Sequence, residues 1–389
     1  MPPRLGYKKS RRGCLRCKQR RVKCDENQPC AACTRHGLSC VFQEPPEVRR
    51  TRSADKAKPQ KDDRQRGSPS VASPDPLPYL KKFVTGPESV EQSTWLTDLE
   101  LMHQYSTSTC LTLPRADELQ QIWQIELPKL SLRHVYLLHQ VLSVSAFHLA
   151  SLNPDRPDYA ICASQHQNNA IAGLRSAVSC ITEESCVEIF LSSSLLSIGA
   201  FAGLGAQNAG HSPRIDDLLD VFFLTRGMSD ILNSYEPTLK ESRIAKLFVQ
   251  KSEVGSTPLL TAIISQLQQF VMPDGFDDTM IATCQGAIAS TITWIGNTIG
   301  TTPTPDERIA MTWCLSVSSE FLDLIRQRQP VALGILAHYC VVLDRVGKSQ
   351  WFMQNWGKPV LQDIRNELEP RWTTMLDWCL TAVEYESNT

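Results

Sequence analysis

The sequence predicts an all-α chain in three parts: a small cysteine-clustered domain over residues 1–45, a disordered linker over 46–94 and a large all-helical domain over 95–389. Three observations carry that reading. Six of the fourteen cysteines fall between residues 14 and 40. The stretch that follows is rich in proline and charge and poor in apolar side chains. From Leu96 onward, apolar residues recur at three- and four-residue spacing, with no sustained period-two alternation of the kind that marks strands. A chain of 389 residues is long enough to bury a sizeable core.

The charge divides along the same lines. The net charge is −1, but residues 1–66 hold 19 Lys+Arg against 7 Asp+Glu, a surplus of 12, and the remainder is correspondingly acidic. A basic head on an acidic body points the head toward a polyanion. The N-terminus "MPPRLGYKKSRRG" has charge without an apolar run behind it, so no secretory signal is expected. The uncharged run "IFLSSSLLSIGAFAGLGAQNAGHSP" (189–213) is broken by serines and glycines and has no close basic flank. It reads as a buried helix running into a Gly-rich loop rather than a membrane span. An intracellular, reducing setting follows as the expectation, and there clustered cysteines are metal ligands more often than disulfides.

The N-terminal stretch "GCLRCKQRRVKCDENQPCAACTRHGLSC" spaces Cys14, Cys17, Cys24, Cys30, Cys33 and Cys40 as C-x2-C-x6-C-x5-C-x2-C-x6-C. Thiolate is the soft ligand zinc prefers, and a C-x2-C pair lets two sulfurs grip one ion across a tight turn. Each half supplies three sulfurs, one short of a tetrahedron. Six thiolates complete two tetrahedra when two of them serve both metals, so two Zn2+ per chain are expected. A module with two independent tetrahedral sites would need eight ligands, and His36 is the only nearby histidine.

This pattern resembles the fungal zinc binuclear cluster family of transcription factors across residues 10–42. The resemblance implies that Cys14 and Cys30 bridge the metals, with Cys17 and Cys24 completing one site and Cys33 and Cys40 the other. Pro29 matches the loop proline that would fix the bend between the halves. The stretch "KQRRVK" (18–23) would form a short helix able to approach the major groove of double-stranded DNA. In the family, the fourth residue after the second cysteine reads a CGG triplet. Here it is Arg21, where the family often has lysine; arginine can pair bidentately with guanine. Lys18, Arg20 and Lys23 suit phosphate contacts that set register. Arg11 and Arg12, with Lys8 and Lys9, form an arm that could follow the DNA backbone or serve as a nuclear localisation signal. The resemblance further implies a fungal source and a nuclear location.

Residues 43–94 carry eight of the 24 prolines, and Val48 is the only aliphatic residue other than alanine between Phe42 and Val71. Such a segment cannot bury enough surface to offset its ordering entropy. It also lacks the a/d heptad of the coiled coil that the family commonly places there.

In the body, one stripe runs through Val135, Leu138, Leu142, Leu149 and Leu152, and another through Ile215, Leu218, Leu219, Phe222 and Phe223. Further helices are expected through Trp313–Leu324, Val331–Val346, Val360–Leu368 and Trp372–Val383, about ten in all, punctuated by "NP", "SP", "TPTPDE", "GKP" and "EP". Trp351, Trp356, Trp372 and Trp378 read as core rather than as a pocket. Cys110, Cys162, Cys180 and Cys340 are scattered without ligand spacing. His139, His148 and His338 read as packing residues.

"DLELMHQYSTSTCLTL" (98–113), "LLHQVLSVSAFHLASLNP" (137–154) and "VALGILAHYCVVLDRVGKSQWFMQNWGKPVLQDIRNEL" (331–368) resemble the regulatory domain of the sterol uptake control protein branch. That likeness implies an all-helical domain taking a small apolar ligand and engaging the transcription machinery. The short chain favours a pathway-specific regulator of a secondary-metabolite gene cluster, with sterol gene regulation as the alternative. No H-E-x-x-H, G-x-S-x-G or P-loop motif occurs, and "GAFAGLGAQNAG" misses the dinucleotide spacing, so no enzymatic activity is expected. The rival to DNA binding is a co-regulator whose cluster binds protein.

Overall fold

A computed structural model describes residues 14–19, 22, 24–27, 29–35, 40–42, 95–114, 116–206, 212–248, 257–273 and 275–385. The chain divides into two units, 1–72 and 73–389. The expected linker over 46–94 lies outside the described residues.

In the first unit two short helices, α1 (Leu15–Gln19) and α2 (Ala31–Arg35), each begin one residue after the first cysteine of a half. They are too short to be stable alone, and what they pack against is sulfur.

The described residues of the second unit are mostly helical and contain no strand. In order come α3 (Trp95–Thr107), α4 (Ala116–Gln120), α5 (Leu127–Ser131), α6 (Val135–Leu152), α7 (Pro157–Val178), α8 (Cys186–Ala206), α9 (Ile215–Asn233) and α10 (Glu236–Glu241). Then follow α11 (Pro258–Gln268), α12 (Asp278–Ile299), α13 (Pro305–Thr312), α14 (Ser319–Arg326), α15 (Pro330–Gly347), α16 (Gly357–Glu367) and α17 (Asp377–Tyr385). The punctuation read from the sequence sets many of these starts. Pro157, Pro258, Pro305 and Pro330 each occupy a first helical turn, where the missing N–H costs nothing. Asp277 caps α12 by accepting from the Thr279 and Met280 amides at 3.0 and 3.3 Å.

The core is laid down by α6, α7 and α8, which pack on one another, and by α15, which meets α13, α14, α16 and α17. Three helices, Val135–Leu152, Cys186–Gly205 and Pro330–Gly347, are long and apolar enough to cross a membrane by length and composition. In the second and third, 83% of that window is buried inside the protein, so their apolar surface is taken up by neighbouring helices. Several aromatic residues pack in the same interior. Trp313 stacks on Tyr339 at 4.6 Å, and its indole N–H donates to Thr291 Oγ1 at 3.0 Å. Trp356 is fully buried and donates to the Phe201 carbonyl at 3.1 Å.

Two expectations need correction. The stripe through Val135, Leu138, Leu142, Leu149 and Leu152 holds in its middle, where Leu142 is buried and Leu138 and Leu149 pack against the core, but its ends, Val135 and Leu152, are 69% and 59% exposed. Leu137, Val141 and Val144, off that stripe, are buried as well, because α6 is enclosed nearly all round in its middle and only its ends reach solvent. The helix expected through Trp313–Leu324 is broken: α13 ends at Thr312, a 3-10 turn covers Trp313–Leu315, and Ser318 caps a new helix through the Phe321 amide at 3.2 Å.

Candidate metal centre and nucleic-acid interface

The cluster is built twice from one local design. In each half the C-x2-C pair spans the start of a short helix, so the amide of the second cysteine points back at the sulfur of the first. Cys17 N–H donates to Cys14 Sγ at 3.4 Å, and Cys33 N–H donates to Cys30 Sγ at 3.4 Å. The third cysteine returns to the first. Cys14 N–H meets Cys24 Sγ at 3.4 Å, and Cys30 N–H meets Cys40 Sγ at 3.2 Å.

This repetition brings the six sulfurs together. Cys14, Cys17, Cys24 and Cys30 place their sulfurs within 4.8 Å of one another, as do Cys14, Cys30, Cys33 and Cys40. The two groups share Cys14 and Cys30. Individual separations are 3.7 Å for Cys14–Cys30, 3.6 Å for Cys14–Cys33 and 3.6 Å for Cys17–Cys30. Sulfurs about 2.3 Å from a tetrahedral zinc stand about 3.8 Å apart, so the donor set fits that metal in chemistry and spacing. None of the fourteen cysteines is disulfide-bonded.

The shared pair also differs electrostatically. The Cys17 amide, and then neighbouring thiols, hold the Cys14 thiol down to about 6. Burial pushes Cys30 up, but the Cys33 amide and three thiol neighbours leave it lowered. Burial drives Cys17 up and takes Cys33 to about 12.

Of the side chains expected to meet DNA, Lys18 lies exposed on α1. Arg11, Arg12, Arg20, Arg21 and Lys23 lie outside the described residues.

Asp25 was not singled out in the sequence. Its carboxylate accepts the Ala31 amide at 3.2 and 3.1 Å and the Asn27 side-chain amide at 3.1 Å. The Ala31 N–H in particular holds this carboxyl below the usual carboxylate range. Superposing the two C-x2-C-x6-C halves in register would have drawn attention to it, because it directly follows the third cysteine of the first half.

In the helical unit the residues read as packing groups are so placed. His148 is buried, hydrogen-bonded to Thr109 Oγ1 at 2.9 Å and stacked on Trp351 at 4.8 Å. His338 is buried and stacked on Trp378 at 5.6 Å. His139 Nδ1 meets His166 Nδ1 at 2.9 Å. An opening of about 830 Å³ lies at the start of α16, lined by Arg214, Met353, Trp356, Lys358, Pro359 and Asp363 among others.

Comparison with known proteins extends the account. Residues 12–49 match the fungal Zn(2)-Cys(6) binuclear cluster domain. The chain is 28% identical to the Zn(2)-C6 fungal-type transcription factor afumD of Aspergillus fumigatus, over 87% of this chain and 86% of that protein. It is 26% identical to a Zn(2)-C6 fungal-type transcription factor of Gibberella zeae, over 97% of this chain and 86% of the other. A shorter match, 27% identity, covers 39% of this chain and 21% of sterol uptake control protein 2 of Candida albicans. The N-terminal unit thus carries a fungal Zn(2)-Cys(6) binuclear cluster domain, a module that binds two zinc ions, and over most of its length the chain is similar to DNA-binding regulators of the Zn(2)-C6 fungal type.

Proposed function

We propose that the six cysteines hold the two zinc ions, with Cys14 and Cys30 serving both, and that this frame presents α1 and the residues after it to a CGG-type site in double-stranded DNA. The observation that carries the reading is the sharing of Cys14 and Cys30 by both four-sulfur groups. Bound zinc supplies a structural cross-link in place of a hydrophobic core. The rest falls to the chain. Arg21 reads guanine through O6 and N7, while Arg11, Arg12, Lys18, Arg20 and Lys23 neutralise phosphates and set register. Charge supports this assignment: the first half carries "KQRRVK" and the second, at matching positions, "TRHGLS". Residues 1–45 then form the DNA-binding domain, 46–94 a disordered linker and 95–389 the regulatory domain. Such a regulator works in the nucleus and catalyses no reaction.

For the pathway we favour a secondary-metabolite gene cluster. The chain covers 86% of each of two Zn(2)-C6 fungal-type factors but 21% of the Candida sterol regulator. That shorter match keeps regulation of sterol genes as the second reading. It is also what supports a small apolar effector for the helical domain.

The test uses the full chain on a CGG duplex and on a scrambled one. Arg21→Ala is expected to cost about 1–3 kcal/mol on CGG and little on the scrambled site. Equal losses on both duplexes would contradict the assignment. Transcript profiling of a deletion strain separates the pathways by which genes fall silent.

A further inference from the structure

The two halves of the cluster unit are related by a shift of sixteen residues, which carries Cys14 to Cys30 and Cys24 to Cys40. The same shift relates the bonds that tie each half to the other. The first residue of α1, Leu15, donates its amide to the Val41 carbonyl at 2.8 Å. The first residue of α2, Ala31, donates its amide to the Asp25 carboxylate at 3.2 and 3.1 Å. Leu15 corresponds to Ala31, and Val41 corresponds to Asp25. In both places the amide that opens one helix is held by the residue just after the third cysteine of the opposite half.

The two ties differ in kind. The Val41 acceptor is a main-chain carbonyl, which any residue at that position supplies. The Asp25 acceptor is a side chain, so this tie exists only because an acid stands there. The turn between them also needs holding. Glu26 has φ +64°, a left-handed conformation that is unfavourable for a residue with a Cβ. Asn27 donates its side-chain amide to the same Asp25 carboxylate at 3.1 Å, a bond that spans Glu26.

We propose that Asp25 is a positioning residue for the metal centre: it fixes the turn that delivers Cys30 to Cys14, and thereby holds the Cys30–Cys33–Cys40 half in place to retain the second zinc. It touches no sulfur and acts through the Ala31 amide, next to the shared Cys30. Among the described residues, the Leu15–Val41 bond and the sulfur contacts also join the two halves. The inference rests on the two-zinc reading of Cys14 to Cys40.

The experiment measures zinc retention in the full chain by competition with a chromogenic chelator, with native mass spectrometry counting the ions held. Cobalt substitution adds the sulfur-to-metal charge-transfer band. Asp25→Ala is expected to release one of two zinc ions about 10- to 100-fold more readily, the range found when groups supporting metal ligands are lost. Asp25→Asn keeps an acceptor oxygen for the Ala31 amide and should restore most of the retention and the cobalt spectrum. Wild-type protein holding fewer than two zinc ions contradicts the underlying two-zinc reading. Wild type holding two, with Asp25→Ala equally retentive, overturns the role of Asp25. An Asp25→Asn variant as weak as Asp25→Ala overturns it as well, because the acceptor is still present.

Discussion

Among the described residues of the cluster unit, those removed from solvent are Cys14, Cys17, Cys24, Cys30 and Cys33, with Ala32, Cys40 and Phe42 packed at the edge. In the helical unit, the buried set runs from Leu101 to Val383 and is built of aliphatic and aromatic side chains drawn from helices throughout the unit. One unit has six sulfurs where the other has a hydrocarbon interior. Burial of apolar area, at about 25 cal/mol per Å², can support the second. It cannot support the first, which offers little such area, so order there must come from ligation. The same chain therefore joins two regions whose stabilities answer to different reagents.

The sharpest way to break that contrast is a strong chelator. Chelation of the full chain is expected to abolish binding to a CGG duplex while far-UV circular dichroism, dominated by the helical unit, stays nearly unchanged. Loss of helicity in parallel with zinc would mean that the helical unit leans on the metal too.

The reciprocal perturbation is Trp356→Ala. Trp356 is fully buried, with its ring against Phe201 at 5.1 Å and its N–H bonded to the Phe201 carbonyl. Truncation should cost the helical unit about 3–5 kcal/mol. Zinc content should stay at the wild-type value. A chemical-denaturation midpoint that does not move would show that this interior is not the source of stability.

Acid sharpens the comparison more gently. Burial lowers His148 to about 4, and burial with the neighbouring His139 lowers His166 to about 4. An unfolded histidine titrates near 6.5. Between those values the unfolded chain takes up protons that the folded one refuses. Stability contributed by these groups is thus complete above about pH 6.5 and is lost as pH falls toward 4. The melting temperature of the helical unit should be flat from pH 8 to 7 and decline from 6 to 4.5, with a smaller decline in His148→Gln. A profile that stays flat to pH 4.5 would contradict the burial argument.

Much of this was legible in the sequence, for reasons that differ between the units. Six cysteines at fixed spacing admit few chemistries, so counting ligands anticipates two four-sulfur groups with two shared members. The choice of Cys14 and Cys30 as those members came from the family resemblance and not from the count. The helical class was equally plain, because apolar spacing and proline punctuation agree from residue to residue. The extent of each buried face was harder. The stripe through Val135 and Leu152 presumed a helix with one wet face, and α6 is enclosed in its middle instead. The break after Thr312 depended on Ser318 competing for a backbone amide, a local hydrogen bond that periodicity does not register. Asp25 escaped notice because its partner is a main-chain amide six residues on, and a main-chain partner leaves no trace in residue type.

The most direct test of the central claim is a count of zinc ions in the full chain by native mass spectrometry, for wild type, Cys14→Ala and Cys17→Ala. Cys14 belongs to both four-sulfur groups and Cys17 to one. The account predicts about two zinc ions in wild type, none stably held in Cys14→Ala and one in Cys17→Ala. A Cys14→Ala protein that keeps one zinc as firmly as Cys17→Ala would contradict it, because the two sites would then not share that sulfur.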